Sequence, residues 1–165
     1  MSSTPARAAT GGIGARILKL WSRCSSLPGG RLVFGFLLGR MVPYSGTIKP
    51  EVVELEAGRA VVRVRDRRRV RNHLRSIHAI ALANLGELTS GLAMTTALGP
   101  ELRAIVTHLE IEYLKKARGT LTATGLGQPP SEVGEPVDVI VTADIKDSDG
   151  DDVARVRVTW RIGPR

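Results

Sequence analysis

The stretch HAIALANLGELTSGLAMTT, His78 to Thr96, holds one charged residue, Glu87, among leucines, alanines and a methionine. Ala79, Leu82, Ala83, Leu85, Leu88, Leu92 and Met94 lie nearly all round a helical wheel, which predicts a buried helix. Gly99-Pro100 ends it. The flanking segments have a period of two. Thr47 to Leu55 reads as a strand, Ala57-Gly58 as a turn, and Ala60, Val62 and Val64 alternate with Val61, Arg63 and Arg65 in a second strand. A polar, Arg-rich link, Asp66 to Arg75, leads into the helix.

Four more strands are expected after it. In Ala104 to Leu114, Ile105, Thr107, Leu109, Ile111 and Tyr113 fall on one face. Thr120 to Leu126 follows, and the loop Gly127 to Gly134 leads to Val137 to Ile145. Asp147-Ser148-Asp149-Gly150 is a turn. In Val153 to Ile162, Ala154, Val156, Val158, Trp160 and Ile162 face inward. The order is two helices, two strands, one buried helix and four strands. That is an α+β arrangement, an antiparallel sheet around a long central helix.

Before the first strand, Met1 to Gly12 is small and polar and is expected to be disordered. Residues 13–165 are expected to form a single domain, with N-terminal helices in 13–42 and the core in 43–165. Ile17, Leu20, Trp21 and Cys24 follow a helical pattern, and Pro28-Gly29-Gly30 breaks the chain. Leu32 to Met41 reads as a second helix, ending before Pro43. Covering the sheet is the favoured role for these helices. A membrane-surface role is the alternative, because Arg16, Lys19, Arg23, Arg31 and Arg40 edge them.

The formal net charge is +8, which favours an anionic partner without naming one. The lone cysteine, Cys24, has no internal disulfide partner and no histidine close in sequence, so it reads as packing. No apolar run approaches the ~20 residues of a membrane span. Arg16 and Lys19 break the Ile13 to Leu20 segment, which is poor for a signal peptide, and a cytoplasmic location is expected. Asp147 to Asp152 lacks the spacing of a calcium loop. His73, His78 and His108 have no metal-site spacing. No phosphate-binding glycine motif is present, since Gly11-Gly12-Ile13-Gly14 follows no strand.

The segment Arg71-Asn72-His73-Leu74-Arg75-Ser76-Ile77-His78-Ala79 resembles the loop entering the central helix of hotdog-fold thioesterases of the phenylacetic-acid-pathway (PaaI-like) type. That family has an Asn, a His six residues on, commonly Gly-Gly after it, and a helical carboxylate nine residues beyond the His. Asn72, His78 and Glu87 keep both spacings, with Ala79-Ile80 in place of Gly-Gly. Leu109 to Gly119 and Asp147 to Trp160 are also similar to the family. The resemblance covers about Val42 to Ile162. The helices before it and Pro43-Tyr44 look more like a DUF4442-like branch.

The resemblance implies a hotdog fold and an acyl-CoA thioesterase-like hydrolase. It implies no cofactor, with the coenzyme A or acyl-carrier thioester as substrate. Helical carboxylate and loop come from different subunits in the family, which implies a homodimer or a dimer of dimers (a homotetramer). The expected catalytic set is Asn72, His78, Ala79 and Glu87. Ser76, Arg71 and Arg75 in the loop, and Thr89 and Ser90 beyond Glu87, are the expected substrate-binding residues. The family's strand hydroxyl is replaced at Val106, beside Thr107. A non-catalytic protein that binds an acyl ligand is therefore the alternative.

The chemistry is consistent with these roles. A helix start offers unpaired N–H groups and a positive dipole end, so the amide of Ala79 is a candidate oxyanion donor. Asn72 is placed to orient water or the thioester, and His78 to position the loop. Glu87, as general base or nucleophile, is costly to bury without a partner or a function. Each residue also has a plain structural role open to it: Asn72 as a turn cap, His78 as a hydrogen-bonder, Glu87 as a solvated edge residue. Arg63, Arg65, Arg67, Arg68, Arg69, Arg71 and Arg75 form the densest basic cluster. Coenzyme A phosphates, a solvated surface and nucleic acid are its three readings. Nucleic acid is the least favoured, because no aromatic residues interleave the arginines.

Overall fold

The computed structural model describes residues 12–165. The expected disordered segment, Met1 to Gly12, lies outside them except for Gly12. Four α-helices and six strands follow in chain order. They are α1 (Gly12–Ser25), α2 (Gly30–Met41), α3 (Pro43–Gly46), β1 (Glu51–Glu56), β2 (Arg59–Val64), α4 (Ala79–Ala97), β3 (Leu102–Tyr113), β4 (Leu121–Leu126), β5 (Val137–Lys146) and β6 (Asp152–Pro164). The strands make one antiparallel sheet in the order β1-β2-β4-β5-β6-β3. The sheet curls round α4, which is the hotdog plan expected from the resemblance.

The core is the interface between one sheet face and α4. Val52, Val62, Val64, Ala123, Val141, Ala143, Val156 and Val158 are buried, as are Leu82, Leu85, Leu88, Leu92 and Met94. Small and β-branched residues on the strands let the sheet approach the helix closely. At Gly86 the approach is tightest, since an added Cβ would lie 2.4 Å from a Val156 methyl. Thr96 ties the far end of α4 to the first hairpin. Its Oγ1 accepts from the Gly58 N–H at 3.2 Å and lies 3.0 Å from the Glu56 carbonyl oxygen. The Trp21 and Phe34 rings meet edge to face at 5.1 Å and dock α1 and α2 on this core.

Three local expectations change. β1 starts at Glu51 and not at Thr47. Thr47 caps α3 with φ −62° and ψ −32°, and Lys49 has a φ of 48°, so the chain turns before the strand begins. In β3 a bulge at Thr107 interrupts the alternation, because Val106 pairs with Trp160 and His108 with Thr159. Two residues then oppose one and the inward face switches parity. Leu102 and Ala104 face inward before the bulge and Leu109 and Ile111 after it, while Ile105 is exposed. Finally, α4 is not enclosed all round. Ile80 is exposed, and Ala83, Glu87 and Gly91 are half-buried. The sheet, α1 and α3 cover the rest of the helix and leave this stripe open.

The turn after β5 is the expected hairpin turn. Asp147 Oδ1 accepts from the amides of Asp149 and Asp151, both at 3.0 Å. Lys115 Nζ sits between Asp147 and Asp151, at 2.7 and 2.6 Å.

Candidate active site

The loop before α4 is shaped by its own polar groups. Asn72 Oδ1 accepts from the amides of Leu74 at 2.9 Å and Ser76 at 3.1 Å. The loop closes on itself where the Asn72 N–H reaches the Ser76 carbonyl at 2.8 Å. Asn72 thus holds the turn, with its amide nitrogen left over. Ser76 is buried and donates its hydroxyl to the Ala117 carbonyl at 2.8 Å. Arg75 has a φ of 55°, a left-handed conformation that is strained for a non-glycine residue.

Arg71 is held outside the turn. Its Nε donates to Asp66 Oδ1 at 2.6 Å, and Asp66 Oδ2 accepts from the Gly119 N–H at 3.2 Å. The Arg71 hydrogen bond is the main reason that the Asp66 carboxyl sits below its ordinary value; burial opposes it and the Gly119 amide assists.

His78 is the N-cap of α4, with φ −63° and ψ 141°. Its backbone N–H donates to the Val70 carbonyl at 2.7 Å. Its Nδ1 accepts from the Ile80 N–H at 3.1 Å, which places the neutral ring's proton on Nε2. The His78 carbonyl accepts from Ala81 and Leu82. A helix start has four N–H groups without an intrahelical partner four residues back. Here the amides of Ile80, Ala81 and Leu82 are all taken up by His78. Among the described residues the Ala79 N–H alone in this turn has no partner. It lies at the positive end of the helix dipole.

Glu87 lies on the open stripe of α4. No described residue forms a hydrogen bond or ion pair with its carboxylate, and burial pushes its carboxyl above the ordinary value. It stands about 12 Å along the helix axis from Ala79 at the α-helical rise. One chain therefore does not bring its own Glu87 to its own Ala79 N–H. Asn72, His78 and Ala79 are gathered at one end of α4, and Glu87 is not among them.

Thr89 and Ser90 are fully buried. Thr89 donates back to the Leu85 carbonyl at 2.7 Å, and Ser90 donates to the Glu87 carbonyl at 2.8 Å while accepting from Trp160 Nε1 at 3.3 Å. Within one chain both hydroxyls are engaged internally.

Two residues near the site were not singled out from the sequence. Tyr113 donates its hydroxyl to the Ala79 carbonyl at 3.3 Å, a contact between β3 and α4 that spacing does not reveal. Asn84 is buried one turn before Glu87; its Nδ2 donates to the Tyr44 carbonyl at 3.2 Å, and its Oδ1 has no partner. An amide in an apolar helix was a legible signal for Asn84. Among the described residues no cluster of His, Cys, Asp and Glu is arranged to hold a metal ion.

A family described as "Domain of unknown function (DUF4442)" matches residues 30–162. No curated protein matches the chain. Among solved structures, the chain is similar to the crystal structure of genomics APC5556, with 28% identity and a TM-score of 0.78 over 92% of this chain and 99% of that one. A Pseudomonas aeruginosa protein of unknown function, described as a probable thioesterase, has 20% identity and a TM-score of 0.68 over 84% and 97% of the two chains. A Streptococcus mutans protein crystallised bound to acetyl CoA has 20% identity and a TM-score of 0.59 over 69% and 88%. At identities this low, the last two likenesses speak for the fold.

Proposed function

The chain belongs to the DUF4442 family, and from that premise we propose that it is an acyl-CoA thioesterase-like hydrolase working as a symmetric dimer. The observation that carries this reading is the single unpartnered amide at the start of α4, that of Ala79, on a chain whose one ionisable α4 residue is an unpaired Glu87. The two groups supply the two things that thioester hydrolysis needs. An N–H at the positive end of a helix stabilises the oxyanion. A carboxylate with a raised proton affinity takes a proton from attacking water and returns it to the departing thiolate, or attacks the carbonyl itself to form an anhydride that water then cleaves, releasing the acid and freeing the carboxylate. The thiol of coenzyme A or of an acyl carrier leaves as the tetrahedral intermediate collapses.

Glu87 of one subunit meets the Asn72–Ala79 loop of its partner in this reading. The separation along α4 within one chain supports that arrangement. So does β3, a long edge strand with exposed Ile105 and Val106 and no pairing on its outer side among the described residues. Such an edge is normally covered. His78 holds the loop through Nδ1 and offers Nε2–H toward the carbonyl. Asn72 keeps the turn, and its amide nitrogen is available to substrate or water. Arg75 is better placed than Arg71 to meet a phosphate, since Asp66 occupies Arg71.

Hydrolysis of a panel of acyl-CoAs tests the proposal. Glu87→Ala is expected to lower kcat about 10²- to 10⁴-fold, the usual worth of a general base. Unchanged turnover in that variant removes Glu87 from the reaction.

A second reading, an acyl-ligand binding protein without turnover, is favoured by the inward-turned hydroxyls of Thr89 and Ser90 and by Val106. Saturable acyl-CoA binding with no hydrolysis across the panel would select it.

A further inference from the structure

From α1 to β2 runs a surface from which the proposed hydrolysis takes no residue. Gly12–Pro50 contains six lysines and arginines and no Asp or Glu. The same segment exposes large apolar side chains. Phe36 is 67% exposed and Leu32 65%, and Val33, Met41 and Tyr44 are also exposed. Leu32, Val33 and Phe36 lie on one side of α2, opposite the buried Phe34 and Leu38.

Beside this face a groove of about 890 Å³ opens between α2, α3 and the β1–β2 hairpin. Gly35 and Pro50 are in its lining, and at Gly35 α2 passes so close to the residue before β1 that an added Cβ would lie 2.5 Å from the Pro50 carbonyl oxygen. One wall is apolar, with Leu32 and Phe36. The opposite side and rim carry Arg40, Lys49, Arg63, Arg65 and Arg67. Glu51 is the one acidic residue in the lining, and Arg63 and Arg65 share it at 3.9 and 3.4 Å. The groove is therefore strongly cationic with a greasy wall, next to a greasy helix face.

We propose that this face is a docking surface for an anionic lipid bilayer, with Leu32, Val33 and Phe36 entering the interface and a lipid phosphate held among the groove's arginines. Exposed apolar side chains beside a cluster of Lys and Arg suit an anionic bilayer surface, the former entering the acyl boundary and the latter meeting lipid phosphates. The mixed lining fits an amphiphile better than a fully polar anion. A second copy of this chain is a poor occupant, since it brings the same cationic rim and a net charge of +8. Nucleic acid is a poorer occupant, because the groove lining offers a base one aromatic ring, Phe36, and no series of stacking platforms. The inference is independent of the thioester reading.

The test is co-sedimentation of the full chain with vesicles of phosphatidylcholine alone or mixed with phosphatidylglycerol. Binding is expected to the mixed vesicles only, and to weaken as salt rises. The exposed changes Leu32→Ser and Phe36→Ser together are expected to lower it roughly tenfold or more. Arg40→Gln with Arg65→Gln is expected to lower it roughly 25-fold, about fivefold per charge. Thermal melts show that the variants are folded. Phe36→Trp is a second probe, whose emission should shift blue with mixed vesicles only. Free glycerol phosphate should not displace the protein; if it does, the groove is a soluble-phosphate site and the proposal is overturned. Equal binding to neutral vesicles, no binding to mixed ones, or binding indifferent to these substitutions also overturns it. So does a loss confined to DNA binding in the arginine variant.

Discussion

Glu87 is the single ionisable side chain of α4, and burial alone accounts for the upward displacement of its carboxyl. The folded state therefore holds the Glu87 proton more tightly than the unfolded chain does. Its contribution to stability is fully present below the unfolded carboxylate value, ~4.3, and is lost as pH rises through the raised folded value. At neutral pH, above the ordinary carboxylate value, burial of this carboxyl is a burden on the fold. Glu87→Gln, which keeps the shape and removes the charge, is expected to raise the melting temperature at about pH 7, with the gain vanishing near pH 4. Calorimetry at the two pH values checks this, and a Gln variant that melts no higher at neutral pH would count against a strained carboxylate. A residue kept at a cost to stability is a mark of function.

His78 allows a similar separation of structure from chemistry. It caps α4 through Nδ1. His78→Ala removes the cap and is expected to cost about 1 kcal/mol. His78→Asn, whose side-chain oxygen replaces Nδ1 as acceptor, should cost only a few tenths of that. If Nε2–H touches the thioester carbonyl, both variants lose turnover although only one loses stability. A denaturant series run alongside the acyl-CoA assay distinguishes the two effects.

At the scale of elements, α4 is held at both ends by polar anchors and along its middle by close packing. Thr96 serves the far end, where it is fully buried between the Gly58 amide and the Glu56 carbonyl. Thr96→Val keeps the volume but strands the buried Gly58 amide, at an expected cost of about 1 to 3 kcal/mol. Gly86→Ala favours the helix intrinsically by ~1 kcal/mol but drives a methyl into Val156. Overpacking of this kind costs typically 1 to 3 kcal/mol, so the net effect expected is a loss of stability. A Gly86→Ala protein that melts higher than wild type would mean that β6 yields easily.

The elements were legible because their signals are local. The all-round apolar stretch from His78, the alternation in β2, β5 and β6, and the spacing of Asn72, His78 and Glu87 need only neighbouring residues. What was not legible depends on distant ones. A bulge at Thr107 leaves no trace in an alternating sequence, since either parity reads as a strand. The left-handed Lys49 is invisible because lysine does not advertise that conformation. The open stripe on α4 could not be told from a covered one, because Ile80 and Ala83 are as apolar as the buried Leu82 and Leu85. The Tyr113–Ala79 contact and the groove beside α2 exist only once separate strands and helices are brought together. Of the candidate site, the loop and the helix start were readable residue by residue. The inward bonding of Thr89, Ser90 and Ser76 was not.

For the whole molecule the question is whether one chain suffices. Ala79 and Glu87 are about 12 Å apart along a straight helix, and no rotamer of Glu87 closes that distance along the axis. If the proposed pair acts on one thioester, each site takes its donor from one chain and its carboxylate from the other. Complementation makes this testable with two inactive variants. Ala79→Pro deletes the proposed oxyanion donor, while proline is well tolerated at a first helical position, and the extended His78 before it suits a proline. Glu87→Gln deletes the carboxylate. Each protein alone is expected to lose at least about 10²-fold in kcat. When the two are unfolded and refolded together in equal amounts, half of the random dimers are mixed, and each mixed dimer holds one site with both groups intact. Roughly a quarter of wild-type turnover should return, as twofold symmetry dictates. Refolded mixtures that dimerise but stay inactive would show that the two groups do not act across a shared interface. Activity in either variant alone would show that the donor or the carboxylate is dispensable.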